Sequence, residues 1–428
     1  MIKFMRLFIS TILMLTLTHS FAQDVDQLAK SIEPKVIEWR HYFHQHPELS
    51  NREFKTAKRI EEHLKSLGLK VETGVAKTGV VGVLKGGKPG PVIGIRADID
   101  GLPVTERVDI PFKSTAIGEY NGKETGVMHA CGHDTHIAIV MGVAEVLAGI
   151  KKDLSGTVKF VFQPAEEGAP EGERGGASVM VEEGVMKDPD VDVMFGMHIK
   201  AKMHVGSIGY KTGGIMAASD RMYITVNGVQ SHGSRPWTGV DPITISSQII
   251  IGLQTIVSRQ MELTKEAAVI TVGKIEGGVR HNIIPEKVEL VGTIRTLDEE
   301  MQAIIHQKIK HTTTLIAESG GASADVRIVK GNPITFNDPE LTMKMVPSLQ
   351  KSCEVLEVVD ASTGAEDFSF YAREVPSIYF WVGGCPKDRN LSEVADHHTP
   401  DFYVDDESLI TGIKAFLNLT LDYMAGEK

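Results

Sequence analysis

Residues 135–163 read THIAIVMGVAEVLAGIKKDLSGTVKFVFQ, and this stretch decides the class of fold. Its first part, Thr135 to Ile150, is rich in Ala, Val, Leu and Met and predicts a buried helix. Its end, Thr157 to Gln163, is a short apolar run typical of a buried strand. Similar runs occur at Gly79–Leu84, Val92–Ile95 and Val191–His198. Because strands that alternate with helices form parallel sheets covered on both faces, the sequence predicts an α/β fold with a mixed, largely parallel sheet.

A second kind of pattern begins near residue 215. Arg221 to Asn227 alternates like a half-exposed strand, and Asp241 with Pro242 is a start signal for a helix. The following strands and helix are predicted at Ala268–Val272, Lys287–Arg295, Glu299–Glu318 and Ala324–Val329. The order β-α-β-β-α-β is that of a ferredoxin-like unit. We therefore predict a small α+β domain at residues 217–332, inserted between two parts of the α/β domain at residues 23–216 and 333–428.

The composition excludes several classes of protein. The chain has 428 residues, 42% hydrophobic and 24% charged, which is ordinary for a globular protein and not for a disordered or collagen-like one. Its net charge of −11 argues against nucleic-acid binding, because attraction to phosphate needs a basic surface. The sequence has neither the Gly-x-Ser-x-Gly motif of serine hydrolases nor a nucleotide-binding phosphate loop. Three cysteines are too few for a disulfide framework, although Cys353 and Cys385 could in principle pair.

Residues 1–22 have the three parts of a secretory signal peptide. Lys3 and Arg6 give a positive start, Leu7–Thr18 is an apolar core, and Ser20-Phe-Ala22 is a cleavage site. The alternative is a membrane anchor, but an apolar run of about a dozen residues is shorter than the roughly 20 that a spanning helix needs. We therefore expect an exported protein, periplasmic or secreted, with no membrane span after cleavage.

Four clusters contain residue types that bind metal ions. They are His129-Ala-Cys131-Gly-His133-Asp134, Gln163-Pro-Ala-Glu166-Glu167-Gly168, Gly196-Met-His198 and His397-His398-Thr-Pro. The first three lie at or just after predicted strands, where the sites of open α/β sheets assemble. Imidazole, thiolate and carboxylate groups suit a pair of divalent ions, and of two adjacent glutamates one can bind metal while the other acts as a base. Each cluster also has an ordinary alternative: a packed thiol, a solvated charge patch or a hydrogen-bonded core histidine.

Together with these clusters, further motifs resemble the M20 metallopeptidase family. Within it they resemble the amidohydrolase branch of hippurate hydrolases, N-acyl-amino-acid amidohydrolases and auxin-conjugate hydrolases. The resemblance covers nearly the whole chain after residue 22. The further matching motifs are Arg40–Phe54, Arg96-Ala-Asp-Ile-Asp-Gly-Leu-Pro103, Ser231-His232 with Pro236 and Asp241-Pro242, Asn282-Ile-Ile-Pro285 and Gly364-Ala-Glu-Asp-Phe368.

The resemblance implies a catalytic domain with two divalent metal ions and an inserted lid domain that usually forms a homodimer. The residues that match the metal ligands are Cys131, His133, Glu167, His198 and His398. Glu166 matches the general base, and His232 matches a lid histidine that stabilises the tetrahedral intermediate. Asn282, Arg295 and Gly364 match substrate-binding positions, although an arginine that ends a strand can equally form a surface salt bridge. Asp134 matches a motif residue that we expect to orient a ligand imidazole.

The implied activity is hydrolysis of the amide bond in N-acyl amino acids or similar small conjugates. Glu166 would take a proton from water that a bound metal ion makes more acidic. The ion could be Mn²⁺, Zn²⁺, Ni²⁺ or Co²⁺. Two alternatives remain open: a metallo-carboxypeptidase or dipeptidase of the same family, and an exported binding protein without activity.

Overall fold

The computed structural model describes residues 25–426 of the chain. The predicted signal peptide, residues 1–22, lies outside the described residues. Within residues 25–426 no helix combines the length and apolar character needed to cross a bilayer. The α-helices are α1 (25–45), α2 (Phe54–Ser66), α3 (His133–Gly149), α4 (Gly176–Glu182), α5 (Pro242–Gln260), α6 (Glu299–Ser319), α7 (Pro339–Ser352), α8 (Ser369–Ala372) and α9 (Ser408–Ala425).

Within the described part of the chain, the strands form one large sheet, one four-stranded sheet and three short ladders. Their bounds are β1 (Lys70–Val75), β2 (Gly79–Lys85), β3 (Lys88–Asp98), β4 (Ile117–Tyr120), β5 (Lys123–Gly126), β6 (Ser155–Gln163), β7 (Val193–His204), β8 (Ser207–Tyr210), β9 (Gly213–Met216), β10 (Ala218–Asn227), β11 (Ser231–His232), β12 (Ala268–Gly277), β13 (Ile283–Ile284), β14 (Lys287–Thr296), β15 (Ser323–Lys330), β16 (Thr335–Asn337), β17 (Val355–Val358) and β18 (Ser377–Cys385).

The large sheet has eight strands in the order β1-β2-β6-β3-β7-β18-β8-β17. The neighbours β6, β3, β7 and β18 run parallel, whereas β1, β2 and β6 pair antiparallel. Helix α3 packs on this sheet and against α2 and α9, and all its residues except Glu145, Ala148 and Gly149 are buried. The predicted α/β class with a mixed, largely parallel sheet is confirmed.

Several strands are longer than the apolar runs that predicted them. Strand β3 was expected at Val92–Ile95, but it continues to Asp98 because Arg96 and Asp98 are buried as an ion pair, Nη1 to Oδ2 at 2.7 Å. Apolar periodicity does not detect such a pair. Lys159 in β6 is buried for a comparable reason: its Nζ donates to the carbonyl oxygens of Val185 and Pro189, at 2.9 and 3.0 Å.

The chain divides into two compact units. Among the described residues, the first consists of 25–213, 337–359 and 370–426, and the second of 214–336 and 360–369. The second unit contains an antiparallel sheet in the order β12-β14-β10-β15, with the ferredoxin-like succession β10-α5-β12-β14-α6-β15. Helix α5 begins as predicted, with the Asp241 carboxylate accepting from the N–H groups of Ile243 and Thr244 and with Pro242 in the first turn. The domain boundaries drawn from sequence, which placed residues 360–369 in the catalytic domain, stay predictions.

Candidate metal centre

The candidate centre lies in the first unit, at the carboxyl ends of parallel strands. Strand β3 ends at Asp98 directly opposite Gln163, the last residue of β6. Because the two strands are parallel, the segments that follow them leave the sheet side by side. The backbone N–H groups of Glu166 and Glu167 donate to the two carboxylate oxygens of Asp100, at 3.2 and 3.1 Å. Asp100, in the segment that follows β3, therefore fixes the backbone of Glu166 and Glu167 in the segment that follows β6.

The five residues predicted as metal ligands converge around the thiol of Cys131. Its Sγ lies 3.2 Å from His198 Nε2 and 3.3 Å from His398 Nε2. His398 Nε2 lies in turn 3.1 Å from Glu167 Oε1. Ligand atoms of Cys131, His133 and Glu167 all lie within 4.8 Å of one another. Residues 131, 198 and 398 are far apart in sequence, so the fold alone creates this cluster.

Hydrogen bonds to the backbone fix which nitrogen of two histidines is available. Nδ1–H of His198 donates to the carbonyl oxygen of Ile199 at 2.5 Å, and Nδ1–H of His133 donates to that of Asp100 at 2.9 Å. In a neutral ring the other nitrogen, Nε2, then carries a lone pair. Nε2 is therefore the ligand atom that each ring offers in its neutral form. Burial alone would lower the pKa of His133, but Asp98 and Asp100 raise the pKa to about 10, so metal binding there has to displace a proton.

Orphaned polar atoms show that this donor set fits a cation. His133 Nε2 is buried and has no hydrogen-bond partner among residues 25–426, and the buried Glu167 Oε1 has only His398 Nε2 nearby, at 3.1 Å. Such atoms cost about 1–3 kcal/mol each unless something satisfies them. Burial and then the Glu167 and Glu166 carboxylates raise the pKa of the Cys131 thiol well above its usual value, so its thiolate needs a nearby positive charge. Sulfur, imidazole and carboxylate ligands suit divalent transition metals.

Of the two adjacent histidines, His398 has the better-placed ligand atom. In His397, Nδ1–H donates to the carbonyl oxygen of Cys131 at 3.2 Å, and Nε2 accepts from the N–H of Ala201 at 3.1 Å. Both ring nitrogens of His397 are therefore occupied, although Nδ1 also lies 3.8 Å from Cys131 Sγ. His398 has a positive φ of 62°, a costly backbone conformation that aims its ring at the cluster.

Asp98 and His136, to which the sequence analysis assigned no role, form a second buried group with the predicted ligand His133. His136 Nδ1–H donates to Asp98 Oδ1 at 2.5 Å, and its Nε2 accepts from the N–H of Ile199 at 2.9 Å. Although burial alone would raise the pKa of Asp98, Arg96 and the two histidines hold it well below its usual value. Asp98 is thus a charged carboxylate 3.6 Å from His133 Nε2. The signal for Asp98 in the sequence was the matched motif Arg96-Ala-Asp98, which follows the predicted strand Val92–Ile95.

The expectation that Asp134 orients a ligand imidazole is wrong. Its Oδ2 accepts from His44 Nδ1 at 3.0 Å and from Arg40 Nε at 3.3 Å, and neither is a predicted ligand. The residue that supports the ligand His133 is Asp100, through its carbonyl oxygen and through Oδ1 at 3.3 Å. Helix geometry explains the difference, because adjacent residues His133 and Asp134 of α3 point in different directions.

The predicted substrate-contacting residues belong to the second unit. His232 on β11 pairs with Ile283 on β13, so His232 and Asn282 are close neighbours on this ladder. His232 Nδ1 accepts from the backbone N–H and the hydroxyl of Ser234, at 3.1 and 2.8 Å, which leaves Nε2 as its donor. Arg295 lies on β14 opposite Ser219 and Val269. Gly364 lies in the segment 360–369, where its N–H donates to Ser362 Oγ at 3.1 Å.

A mixed α/β sheet with thiol, imidazole and carboxylate groups converging at its strand ends defines a metal-dependent hydrolase. The model of peptidase family M20/M25/M40 matches residues 94–422. The chain belongs to this family, and it is a metal-dependent amidohydrolase.

Named relatives cover nearly the whole chain. Thermostable carboxypeptidase 2 of Saccharolobus solfataricus is 38% identical over 92% of this chain and 96% of its own. N-acetyl-L-cysteine deacetylase of Bacillus subtilis is 36% identical over 89% of this chain and 86% of its own. The solved structure of a Bacillus subtilis protein, described as a dinuclear metal-binding peptidase of family M20, is 33% identical, covers 92% of this chain and 99% of its own, and has a TM-score of 0.78.

Proposed function

We propose that the protein hydrolyses the amide bond of N-acyl amino acids or similar small amino-acid conjugates. The observation that carries this proposal is the convergence of Cys131, His133, Glu167, His198 and His398 beside Glu166. The deacetylase among the relatives acts, by its name, on an N-acetylated amino acid. A cavity of about 310 Å³ in the first unit supports a small substrate. Its lining combines one proposed ligand, Glu167, with charged residues such as Arg52 and Glu119 and with apolar ones such as Leu102 and Pro170.

We propose that these ligands hold two divalent ions, as in the dinuclear relative. The ions would supply the Lewis acidity that polarises the substrate carbonyl and lowers the pKa of water. Glu166 would accept the proton of the attacking water and return it to the leaving amine. His232 would donate from Nε2 to the developing oxyanion, an interaction that is usually a large part of catalysis in acyl transfer. Asn282 and Arg295 would bind the carboxylate end of the substrate, and Gly364 would also contact the substrate.

A second candidate function is that of a metallo-carboxypeptidase. It is favoured by the relative named thermostable carboxypeptidase 2, which is 38% identical over 92% of this chain. Both candidates use the same metal ligands and base, and they differ in whether the group released from the amino acid is an acyl group or a peptide.

The test begins with protein stripped of metal and reloaded separately with Mn²⁺, Zn²⁺, Co²⁺ or Ni²⁺ under reducing conditions, which protect Cys131. Each form is offered N-acyl amino acids and free dipeptides, and the release of amine is measured. Faster release from the acylated substrates is the expected result and identifies a working metal. Faster release from dipeptides would favour the carboxypeptidase, and no release from any substrate with metal bound would contradict both.

We also propose that the protein forms a homodimer through its second unit. Strand β12 is an edge strand of the four-stranded sheet and exposes Ile275, and the neighbouring helix α5 exposes Ile243 and Ile251. Exposed edge strands and apolar side chains of this kind are commonly covered by another subunit.

Export is a further proposal, supported by the pattern of residues 1–22. It predicts that the protein isolated from the producing cell begins at Gln23, which N-terminal sequencing of the exported fraction would reveal. Full-length protein retained inside the cell would contradict it.

A further inference from the structure

The motif Glu48–Phe54, ELSNREF, has no part in the chemistry described so far, yet it contacts the loop that carries Glu166. Glu53 precedes helix α2, and its side chain is fully buried. Its Oε1 accepts from the backbone N–H of Ala165 at 3.0 Å, and its Oε2 accepts from the hydroxyl of Thr78 at 2.6 Å. Burial and the nearby Asp100 carboxylate raise the pKa of Glu53 to about 7, so a charge here costs folding free energy.

Ala165 needs such a partner because of its backbone conformation. Its φ is 52°, in the left-handed region that an alanine seldom adopts. A residue in this region persists only when its surroundings hold it there. The backbone conformation of Ala165 determines the orientation of the next residue, Glu166. The hydrogen bond between Ala165 and Glu53 therefore stabilises the conformation that orients the proposed base, Glu166.

Two buried carboxylates together hold successive N–H groups of this loop. Glu53 binds the N–H of Ala165, and Asp100 binds those of Glu166 and Glu167. Asp100 also supports His133 and so belongs to the metal centre itself. The Glu53 carboxylate is hydrogen-bonded to Thr78 and to the loop. Its effect on the loop can therefore be tested by substitution while Asp100 continues to support the ligand His133.

The far end of the same loop is anchored separately, through the partly exposed carboxylate of Glu173. Glu173 accepts from Arg52 Nη2 at 2.6 Å, from Lys77 Nζ at 2.5 Å and from Asn51 Nδ2 at 3.0 Å. Loss of one of these partners leaves the others in place. The inner anchor at Ala165 lacks this redundancy, because among residues 25–426 the N–H of Ala165 donates to Glu53 alone.

We propose that Glu53 is a positioning residue, which fixes the N–H of Ala165 and thereby holds Glu166 in the orientation that hydrolysis needs. The proposal rests on the proposed function, in which Glu166 is the base. Displacement of a catalytic group by about 1 Å can cost on the order of 100-fold in rate. Glu53→Ala should therefore lower kcat by roughly 10- to 100-fold, change KM by less than about 3-fold, and leave the bound metal in place.

Two further variants separate positioning from stability. Glu53→Gln keeps a carbonyl oxygen for Ala165 and an amide that can donate to Thr78 Oγ1, so it should restore kcat to within about 3-fold of wild type. Thr78→Val removes the other hydrogen bond of the same carboxylate and leaves a buried oxygen without its partner. It should lower thermal stability as Glu53→Ala does while retaining kcat.

Hydrogen exchange of the loop supplies a readout that does not depend on activity. In the metal-loaded full chain, amides 165–167 should exchange faster in Glu53→Ala than in wild type, Glu53→Gln or Thr78→Val. Unchanged exchange and kcat within 2-fold of wild type in Glu53→Ala would overturn the proposal, as would equal losses of kcat in Glu53→Ala and Thr78→Val. If wild type hydrolyses none of the substrates, the proposed function fails, and the exchange result alone still decides whether Glu53 holds the loop.

Discussion

Glu166 and Glu167 are anchored by the same carboxylate, Asp100, but we assign them different tasks. The Glu167 carboxylate lies beside His398 Nε2 and within 4.8 Å of ligand atoms of Cys131 and His133. Glu167→Ala should therefore lose metal. Glu166→Ala should keep metal and lose about 10²- to 10⁴-fold in kcat, the usual contribution of a general base. Measuring the metal content after dialysis and the kcat of each variant tests both predictions. Equal loss of metal in the two variants would contradict the division of tasks.

His44 is a buried histidine that the structure keeps charged. Burial alone would lower its pKa, but Asp134 and Glu106 raise the pKa to about 9, against the opposing charge of Arg40. Because the folded pKa exceeds the unfolded value near 6.5, the charge stabilises the protein fully below pH 6.5, and this stabilisation is lost as pH rises through 9. The stabilisation is on the order of 3 kcal/mol.

His44→Gln should therefore lower the melting temperature of metal-free protein strongly at pH 6 and much less at pH 10. Metal-free protein is used so that release of metal does not contribute to the pH dependence. Thermal scans of wild type and variant at both pH values provide the measurement. A gap that stays constant or widens with pH would show that His44 is neutral in the folded protein.

At the scale of elements, the backbone conformation of Gly132 sets the directions of the side chains of Cys131 and His133 on either side of it. It precedes helix α3 with a φ of 93°, and a Cβ on it would lie 2.3 Å from Ile199 Cγ2. Gly132→Ala should destabilise the protein by about 2–4 kcal/mol, from left-handed strain and overpacking together, and should weaken metal binding. Gly149, at the end of the same helix, has open space around its Cβ position. Gly149→Ala should be neutral or slightly stabilising, and equal melting temperatures of the two variants would refute the argument.

The elements themselves were largely predictable, and their polar ends were not. Apolar periodicity located α3, β6 and the helix start at Asp241, because burial of apolar side chains is recorded in the local sequence. Arg96 and Lys159 are buried through partners that only the fold supplies. Dependence on partners that are distant in the sequence also explains which residues of the site were missed. The family motifs identified Cys131 and His398 as ligands. The role proposed for Glu53 depends on its hydrogen bond to Ala165, which is 112 positions away, and a local sequence pattern does not reveal such a pair.

At the scale of the whole molecule, the two edges of the four-stranded sheet differ in character. Edge strand β12 exposes Ile275 (54%) between the charged residues Lys274 and Glu276, and helix α5 exposes Ile251 (67%). The opposite edge strand, β15, exposes the charged residues Asp325 and Arg327 and, to a smaller extent, the apolar Val329 (39%). Burial of apolar groups contributes about 25 cal/mol per Å², so the β12 edge is the better candidate for a dimer interface.

The proposed homodimer should therefore depend on the β12 edge. The double variant Ile251→Glu with Ile275→Glu should be monomeric, because each carboxylate would have to be desolvated in the interface. Leu315→Glu, on α6 and 49% exposed, is the matched control and should remain dimeric. Size-exclusion chromatography with light scattering gives the mass of each protein directly. A monomeric wild type would refute the homodimer, whereas a dimer that dissociates in Leu315→Glu but not in the double variant would move the interface to the β15 edge.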